Sequence, residues 1–177
     1  MMLTDLISTY QGVCPEAVCD SLTALFEDSS SFHVKREDEY KSFTELNLNE
    51  HHPEIVPLCV SYLKKALHMY KVNHPEFSQY IELKGLEEFR IKRYREKGEC
   101  FEKHVDVGDY QSAKRQLSFL FYLNDDFKGG GTKFNDKFIT PHKGDILVFP
   151  PMWMFPHEGM PVTGGTKYIM SSYLHYT

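Results

Sequence analysis

Residues 145–176 read DILVFPPMWMFPHEGMPVTGGTKYIMSSYLHY, and this stretch decides the fold. Its apolar segments are short, rich in β-branched or aromatic residues, and bounded by proline or glycine. They predict strands over Asp145–Phe149, Pro156–Gly159 and Lys167–Tyr176, with a turn at Thr163-Gly-Gly165. Short strands separated by such turns are typical of a β-sandwich or jelly roll.

The same pattern extends back to about Leu86. It predicts four further strands, over Glu87–Tyr94, around His104, and over Gln116–Leu123 and Thr132–Phe134, and a turn at Lys128-Gly-Gly-Gly131. We therefore expect residues 86–177 to form the β core of a single domain that spans residues 1–177. The predicted fold class is mainly β with supporting helices (α+β).

Residues 1–85 have a different pattern, with apolar residues at helical spacing. Two helices are predicted, over Pro15–Phe26 and about Pro53–Val72, and both would pack against the β core. Between them, residues Glu27–His52 are polar and rich in serine and acids, so we predict a loop that is either disordered or closes over a substrate.

Composition narrows the function classes. A net charge of −5 and a pI near 6.0 argue against a nucleic-acid partner, which requires a basic face. The N-terminus has no secretory signal pattern, no segment is apolar enough for a membrane span, and the four cysteines form no paired motif. We expect free thiols and a cytoplasmic protein without membrane contact.

A candidate metal site lies within the predicted β core. Residues i and i+2 of a strand point to the same face, so His104 and Asp106 can bind one ion, and His157 supplies a third ligand from a distant strand. Two histidines and one carboxylate leave three open positions on an octahedral metal. This is the ligand set of non-haem iron(II) centres that bind a co-substrate and oxygen together.

Lys167 follows His157 by ten residues across a glycine turn, so a hairpin can bring it close to the metal. Its apolar neighbours, Tyr168 to Met170, predict that it is buried. A buried ammonium group needs an anionic partner. A dicarboxylate co-substrate that chelates the metal with one end would supply that partner with the other.

These motifs resemble the prolyl 4-hydroxylase-type Fe(II)/2-oxoglutarate dioxygenases over residues 93–176. The matching elements are, in order, Tyr94, Gly98-x-x-Phe101-x-x-His104-Val-Asp106, Phe121-Tyr-Leu-Asn124, Gly129-Gly-Gly-Thr132-Lys-Phe134, Pro141-x-x-Gly144-Asp-Ile-Leu-Val-Phe149 and His157-Glu-Gly-x-Pro161-Val-Thr163-x-Gly-x-Lys167-Tyr. The resemblance implies a double-stranded β-helix (a cupin-like jelly roll) that binds Fe(2+), 2-oxoglutarate and O2, with ascorbate as reductant.

The resemblance also implies residue roles. His104, Asp106 and His157 would be the catalytic iron ligands, and the co-substrate would be bound by Lys167, Tyr122, Tyr94 and Thr132. The proline pocket would be lined by Phe101, Arg115 and Tyr173. Two positions depart from the family pattern: Gly131 stands where collagen-type enzymes carry glutamate, and Phe101 replaces the usual tyrosine.

The implied reaction is hydroxylation of an unactivated C–H bond, on C4 of proline in a peptide or protein, with succinate and CO2 as co-products. The alternatives are a hydroxylase of a free amino acid or other small molecule, a nucleic-acid demethylase and a non-catalytic β-helix that only binds. The demethylase would be expected to carry arginines after the distal histidine, and no arginine follows Arg115. The intact triad and Lys167 favour an enzyme over a binding module.

Overall fold

The computed structural model describes residues 2–96 and 98–176. Its α-helices are Glu16–Asp28 (α1), Leu48–His51 (α2) and Val56–Asn73 (α3). Its strands are Ser8–Tyr10 (β1), Val34–Glu37 (β2), Ser42–Asn47 (β3), Gly85–Leu86 (β4), Arg90–Arg95 (β5), Phe101–His104 (β6), Arg115–Tyr122 (β7), Lys128–Gly129 (β8), Thr132–Phe134 (β9), Phe138–Ile139 (β10), Ile146–Phe149 (β11), His157–Gly159 (β12), Val162–Gly164 (β13) and Thr166–His175 (β14).

The strands form two principal antiparallel sheets. In the larger sheet the order is β1-β11-β7-β14-β5-β3-β2, with β4 also paired to β14. The smaller sheet has the order β10-β9-β12-β6, and β8 pairs with β13. An apolar cluster joins the two sheets, since it contains Tyr94, Phe149 and Ile169 of the larger one and Phe134 and Ile139 of the smaller one. This two-sheet arrangement confirms the predicted mainly β, jelly-roll fold.

The opposite face of the larger sheet is covered by helices. Leu22 and Phe26 of α1 and Leu63 of α3 are buried in a second cluster together with Ile146 and Val148 of β11. Both faces of β11 are therefore buried, which explains why its sequence is a continuous apolar run and not an alternating one. The predicted helices are confirmed, with α1 starting one residue and α3 three residues later than expected.

The alternative that Glu27–His52 is disordered was wrong, whereas its closing over a substrate stays a prediction. After the end of α1 this segment forms a 3-10 turn at Ser30–Phe32, the hairpin β2–β3 and the short helix α2. All four residues of β2 are exposed, so this edge strand has the polar sequence of a loop. Strand β3 pairs with β5, and Phe43 and Leu46 are buried.

Residues 1–85 also contain strands that were not predicted from the sequence, because β1, β2 and β3 belong to the larger sheet. Two predicted glycine turns contain short strands, since β8 and β13 pair between Lys128–Gly129 and Val162–Gly164. Sequence patterning misses strands of two or three residues because they are too short to show a period. No described helix has the length and apolar composition needed to cross a membrane.

Candidate metal and co-substrate site

Three predicted ligands converge at the β6–β12 pair of the smaller sheet. His104 ends β6, His157 begins β12, and the two residues are directly paired across the strands. Asp106 follows two residues after β6. The potential ligand atoms of the three side chains lie within 4.8 Å of one another. From Asp106, Oδ1 is 3.5 Å from His104 Nε2, and Oδ2 is 3.7 Å from His157 Nε2.

In both imidazoles a hydrogen bond occupies Nδ1, so the other ring nitrogen, Nε2, is free to bind a cation. His104 Nδ1 lies 2.7 Å from the carbonyl oxygen of Glu102, and His157 Nδ1 lies 3.0 Å from that of Phe155. A carbonyl oxygen only accepts, so each Nδ1 carries the proton and each Nε2 keeps its lone pair. Backbone hydrogen bonds of this kind orient metal-binding histidines in many proteins.

Asp106 shows that the site fits a metal ion. Its side chain is 7% exposed, yet Oδ2 is buried and has no hydrogen-bond partner among residues 2–96 and 98–176. A buried carboxylate oxygen without a partner is costly. A cation placed between Asp106, His104 and His157 would remove this cost, and an N2O donor set suits a divalent transition metal.

The protonation states favour coordination. Burial opposes ionisation of Asp106, but the neighbouring His157 and His104 outweigh it and hold the pKa of Asp106 well below its usual value. Burial lowers the pKa of His157. At neutral pH the site therefore presents an ionised carboxylate and a neutral imidazole, the forms that bind metals.

One detail of the predicted geometry was wrong. The strand ends at His104, so Asp106 does not share its face by strand alternation. Instead, the backbone N–H of Asp106 donates to the carbonyl of Pro151 at 3.1 Å, and the hydroxyl of Tyr173 donates to Asp106 Oδ1 at 3.0 Å. Contacts from distant parts of the chain thus orient the carboxylate.

Lys167 lies on β14 opposite Tyr94 and is 4% exposed. Its Nζ donates to the carbonyl of Gly130 at 2.5 Å and lies 5.5 Å from the ring centroid of Tyr94 and 5.9 Å from that of Tyr122. In the described part of the chain, no carboxylate comes within 4.0 Å of this Nζ. Burial lowers the pKa of Lys167 to about 7. Lys167 therefore fits an anion that enters the cavity.

Lys167 and the triad line the same cavity. Its other lining residues are Lys92, Tyr94, Phe101, Ser118, Leu120, Thr132, Phe149, Gly159, Ile169, Ser171 and Tyr173. Six of these lining residues are aromatic or aliphatic, namely Tyr94, Phe101, Leu120, Phe149, Ile169 and Tyr173. The cavity can hold a metal ion at the triad and an anion at Lys167. A dicarboxylate that chelates a metal with one end requires both of these sites.

The remaining co-substrate candidates lie close by. Tyr122 is fully buried, and its hydroxyl shares a hydrogen bond of 2.8 Å with Thr132 Oγ1. Thr132 and Tyr94 line the cavity. Their role in binding 2-oxoglutarate stays a prediction.

The three candidate pocket residues divide into two groups. Phe101 stacks on His104 with ring centroids 3.6 Å apart, and Tyr173 lines the cavity. Arg115 does not line this cavity. It lies outside it, where its guanidinium is 3.9 Å from the ring centroid of Tyr173 and its Nη1 donates to the carbonyl of Asp106.

Two residues with contacts to the site were missed in the sequence. Lys92 lines the cavity, and Glu87 accepts two hydrogen bonds from Arg115, at 2.7 and 2.6 Å. Lys92 shares strand parity with Tyr94, so alternation along β5 could have identified it. Nothing in the local sequence distinguishes Glu87 from its neighbour Glu88.

Comparisons with known proteins agree with this geometry. The family model of the 2OG-Fe(II) oxygenase superfamily matches residues 89–175, which include every predicted site residue. A crystal structure of a Pseudomonas putida prolyl-4-hydroxylase has the same fold, with a TM-score of 0.75 and 18% identity over 96% of this chain and 92% of that one.

Two curated relatives match shorter segments. A putative prolyl 4-hydroxylase of Acanthamoeba polyphaga mimivirus is 43% identical over 70 residues, which is 33% of this chain and 28% of the relative. Human procollagen-lysine,2-oxoglutarate 5-dioxygenase 2 is 40% identical over 55 residues, which is 29% of this chain and 8% of the relative. This chain thus matches well under a third of either relative's length. Family model, fold and site agree, and residues 89–175 of this chain match the 2OG-Fe(II) oxygenase superfamily.

Proposed function

We propose that this protein is an Fe(II)- and 2-oxoglutarate-dependent dioxygenase that hydroxylates proline in a peptide or protein, at C4. One observation carries the proposal: a His-Asp-His cluster and the buried Lys167, which has no carboxylate partner within residues 2–96 and 98–176, line one cavity. A binding module would not require either feature. Ascorbate as reductant and a cytoplasmic location are part of the same proposal.

Each side chain has a defined task in this proposal. His104, Asp106 and His157 would bind iron(II), and Lys167 would pair with the far carboxylate of 2-oxoglutarate. Bound iron(II) with 2-oxoglutarate and O2 supplies the oxidising power for C–H hydroxylation, with succinate and CO2 as co-products. The chain itself orients both ligands through side chains that are fixed by hydrogen bonds and packing.

The cavity wall would exclude water from the reaction. Phe101, Leu120, Phe149 and Ile169 line the space between the metal end and the lysine end. A dry wall strengthens the interaction of Lys167 with a carboxylate, because the effective dielectric constant falls. Phe101 and Tyr173 offer apolar ring surfaces beside the triad, which suits the uncharged ring of proline.

The proposal is tested by mass spectrometry of proline-containing peptides incubated with iron(II), 2-oxoglutarate and ascorbate. We expect the mass gain of one oxygen atom on proline, together with an equal amount of succinate. Peptidyl lysine, free proline and alkylated DNA serve as separate substrates that distinguish the alternative hydroxylases. If none of the substrates gains oxygen and no succinate forms, the proposed activity is wrong.

Variants connect that activity to the site. His104→Ala and Asp106→Ala should reduce succinate formation to background. Lys167→Ala should retain metal binding but require a much higher 2-oxoglutarate concentration. Undiminished turnover in the first two variants, or an unchanged 2-oxoglutarate requirement in the third, would contradict the assigned roles.

A further inference from the structure

Lys92 occupies the boundary between the inner cavity and an outer groove. It lies in the middle of β5, paired with Ile169 of β14 on one side and Glu45 of β3 on the other. It lines the cavity that contains Lys167 and also the groove that opens between the β2–β3 hairpin and the triad. His104 and Asp106 line both spaces, so a substrate that enters by the groove passes Lys92 as it reaches the metal end.

The cations around Lys92 are already neutralised. Within the groove, Arg36 pairs with Glu45 at 3.1 Å, and Arg115 pairs with Glu87 at 2.6 Å. Two further cations of the groove are also paired, Lys41 with Asp38 and Arg90 with Glu88, and Arg90 shares Glu87 with Arg115.

Lys92 is different. Its Nζ lies 5.3 Å from the ring centroid of Phe43, and no carboxylate of residues 2–96 or 98–176 is within 4.0 Å of it. Glu45, its cross-strand neighbour, is held by Arg36 and approached by Arg90 at 3.8 Å. The ammonium group of Lys92 is therefore available to a ligand.

We infer that Lys92 binds a carboxylate of the substrate, close to the carbon that is hydroxylated. This inference rests on the proposed function and narrows its substrate to one with an acidic group next to the reacting residue. The carboxylate comes either from an acidic side chain of a peptide or from the reacting residue itself, as in a C-terminal or free amino acid. A cation in this position also repels a lysine side chain, which disfavours peptidyl lysine as the substrate.

The proposal is tested by equilibrium binding with Mn2+ and 2-oxoglutarate, which does not depend on turnover. The probes are short capped peptides with one proline and one glutamate at each neighbouring position, and their glutamine counterparts. A further peptide ends in proline with a free carboxylate, and its control is the C-terminal amide. The proteins are wild type, Lys92→Met, and Lys64→Met as a control at an exposed lysine of α3.

We expect wild type and Lys64→Met to bind one carboxylate peptide about tenfold more tightly than its neutral counterpart, a difference of about 1.4 kcal/mol. In Lys92→Met this preference should disappear, while the Kd for 2-oxoglutarate stays the same. The position of the preferred carboxylate identifies its source. Absence of any preference in wild type, or its survival in Lys92→Met, overturns the inference.

An increased Kd for 2-oxoglutarate in Lys92→Met would also overturn it, because Lys92 would then serve the co-substrate. Failure of the proposed reaction is recognised separately. In that case the peptides bind with or without a carboxylate preference, but none gains oxygen when iron(II) and air are supplied.

Discussion

At the scale of single residues, the site depends on charges that are buried before any ligand arrives. In the part of the chain that the structure describes, Lys167 has the carbonyl of Gly130 as its one hydrogen-bond acceptor, and burial lowers its pKa to about 7. A bound carboxylate would raise this pKa again, because it favours the charged form. Under the proposed function, binding of 2-oxoglutarate would therefore be linked to the protonation of Lys167.

This linkage gives a prediction for pH. Below pH 7 the Lys167 amine is already charged. Above pH 7 it is mostly neutral, so binding of 2-oxoglutarate must include the uptake of one proton by Lys167. We expect the Kd for 2-oxoglutarate, measured by anaerobic calorimetry with Mn2+, to rise by roughly tenfold per unit between about pH 7 and 9. Lys167→Arg should flatten this profile, since arginine keeps its charge. A flat profile in wild type would contradict the linkage.

A second set of residues fixes Asp106, and two of them, Glu87 and Arg115, do not line the cavity. Glu87 binds Arg115 through two hydrogen bonds, Arg115 donates to the carbonyl of Asp106 and stacks on Tyr173, and Tyr173 donates to the carboxylate. Burial opposes ionisation of Glu87, but hydrogen bonds from Arg115 and its charge hold the pKa of Glu87 at about 2. Glu87 is thus a positioning residue.

We predict that Glu87→Gln weakens Mn2+ binding by about 10- to 100-fold, as substitutions behind metal ligands commonly do. Glu88→Gln is the matched control, because Glu88 is the next residue and its side chain is 46% exposed. Calorimetric titration with Mn2+ measures both. Equal Mn2+ affinities in the two variants would show that Glu87 does not position the site.

Site residues could be predicted from the sequence where their role depends on the type of side chain. The triad and Lys167 were predicted, because histidine, carboxylate and a lysine with apolar neighbours limit what a site can bind. Glu87 and the role of Arg115 were not, since both depend on contacts between residues far apart in the chain. The partners that orient Asp106, such as Tyr173, likewise appear only once the strands are in register.

At the scale of elements, the β2–β3 hairpin forms one wall of the groove. Phe43 of β3 is 3% exposed, and its ring centroid lies 5.3 Å from that of Tyr94 and 5.9 Å from that of Phe101. The hairpin is thereby attached to the aromatic residues beside the triad. The four residues of its outer strand β2 are all exposed, and Val34 is 44% exposed.

We predict that Phe43→Ala lowers the free energy of unfolding by about 3 kcal/mol, the lower end of the range for a buried phenylalanine, because the site is near a sheet edge. It should also raise the KM for peptide and reduce hydrogen-exchange protection of residues 42–47. Val34→Ala in β2 should change stability by less than about 0.5 kcal/mol. Urea unfolding measures both, and equal effects would contradict the assigned packing.

At the scale of the whole molecule, the metal ligands lie on separate elements: His104 on β6, Asp106 in the segment after β6 and His157 on β12. A metal ion that links β6, β12 and the segment after β6 should therefore stabilise the folded state. At a Mn2+ concentration about one hundred times Kd, we expect a gain of about 2.7 kcal/mol in the free energy of unfolding.

Asp106→Ala should abolish this gain, whereas the control His142→Ala, at an exposed loop position, should retain it. Urea unfolding with and without Mn2+ measures the difference. If Asp106→Ala were stabilised as much as wild type, the metal would bind elsewhere.

The fold as a whole was predictable from alternation and turns after residue 86, and from the two amphipathic helices before it. What the pattern could not reveal is the sheet order. Strands β1 and β3 are too short or too polar to be recognised, and they join the larger sheet only through pairing with β11 and β5. Long-range pairing of this kind leaves no local signal.

Strand β14 carries Lys167 and Tyr173 six residues apart in one continuous ladder with β5 and β7. Because faces alternate along a strand, an even separation is required for both side chains to enter the cavity. Insertion of a single residue between them would direct one of the two side chains toward the helices, although both residues would still be present. Substitutions can therefore change this pocket gradually. A change in the length of β14 would instead remove either Lys167 or Tyr173 from the cavity in one step.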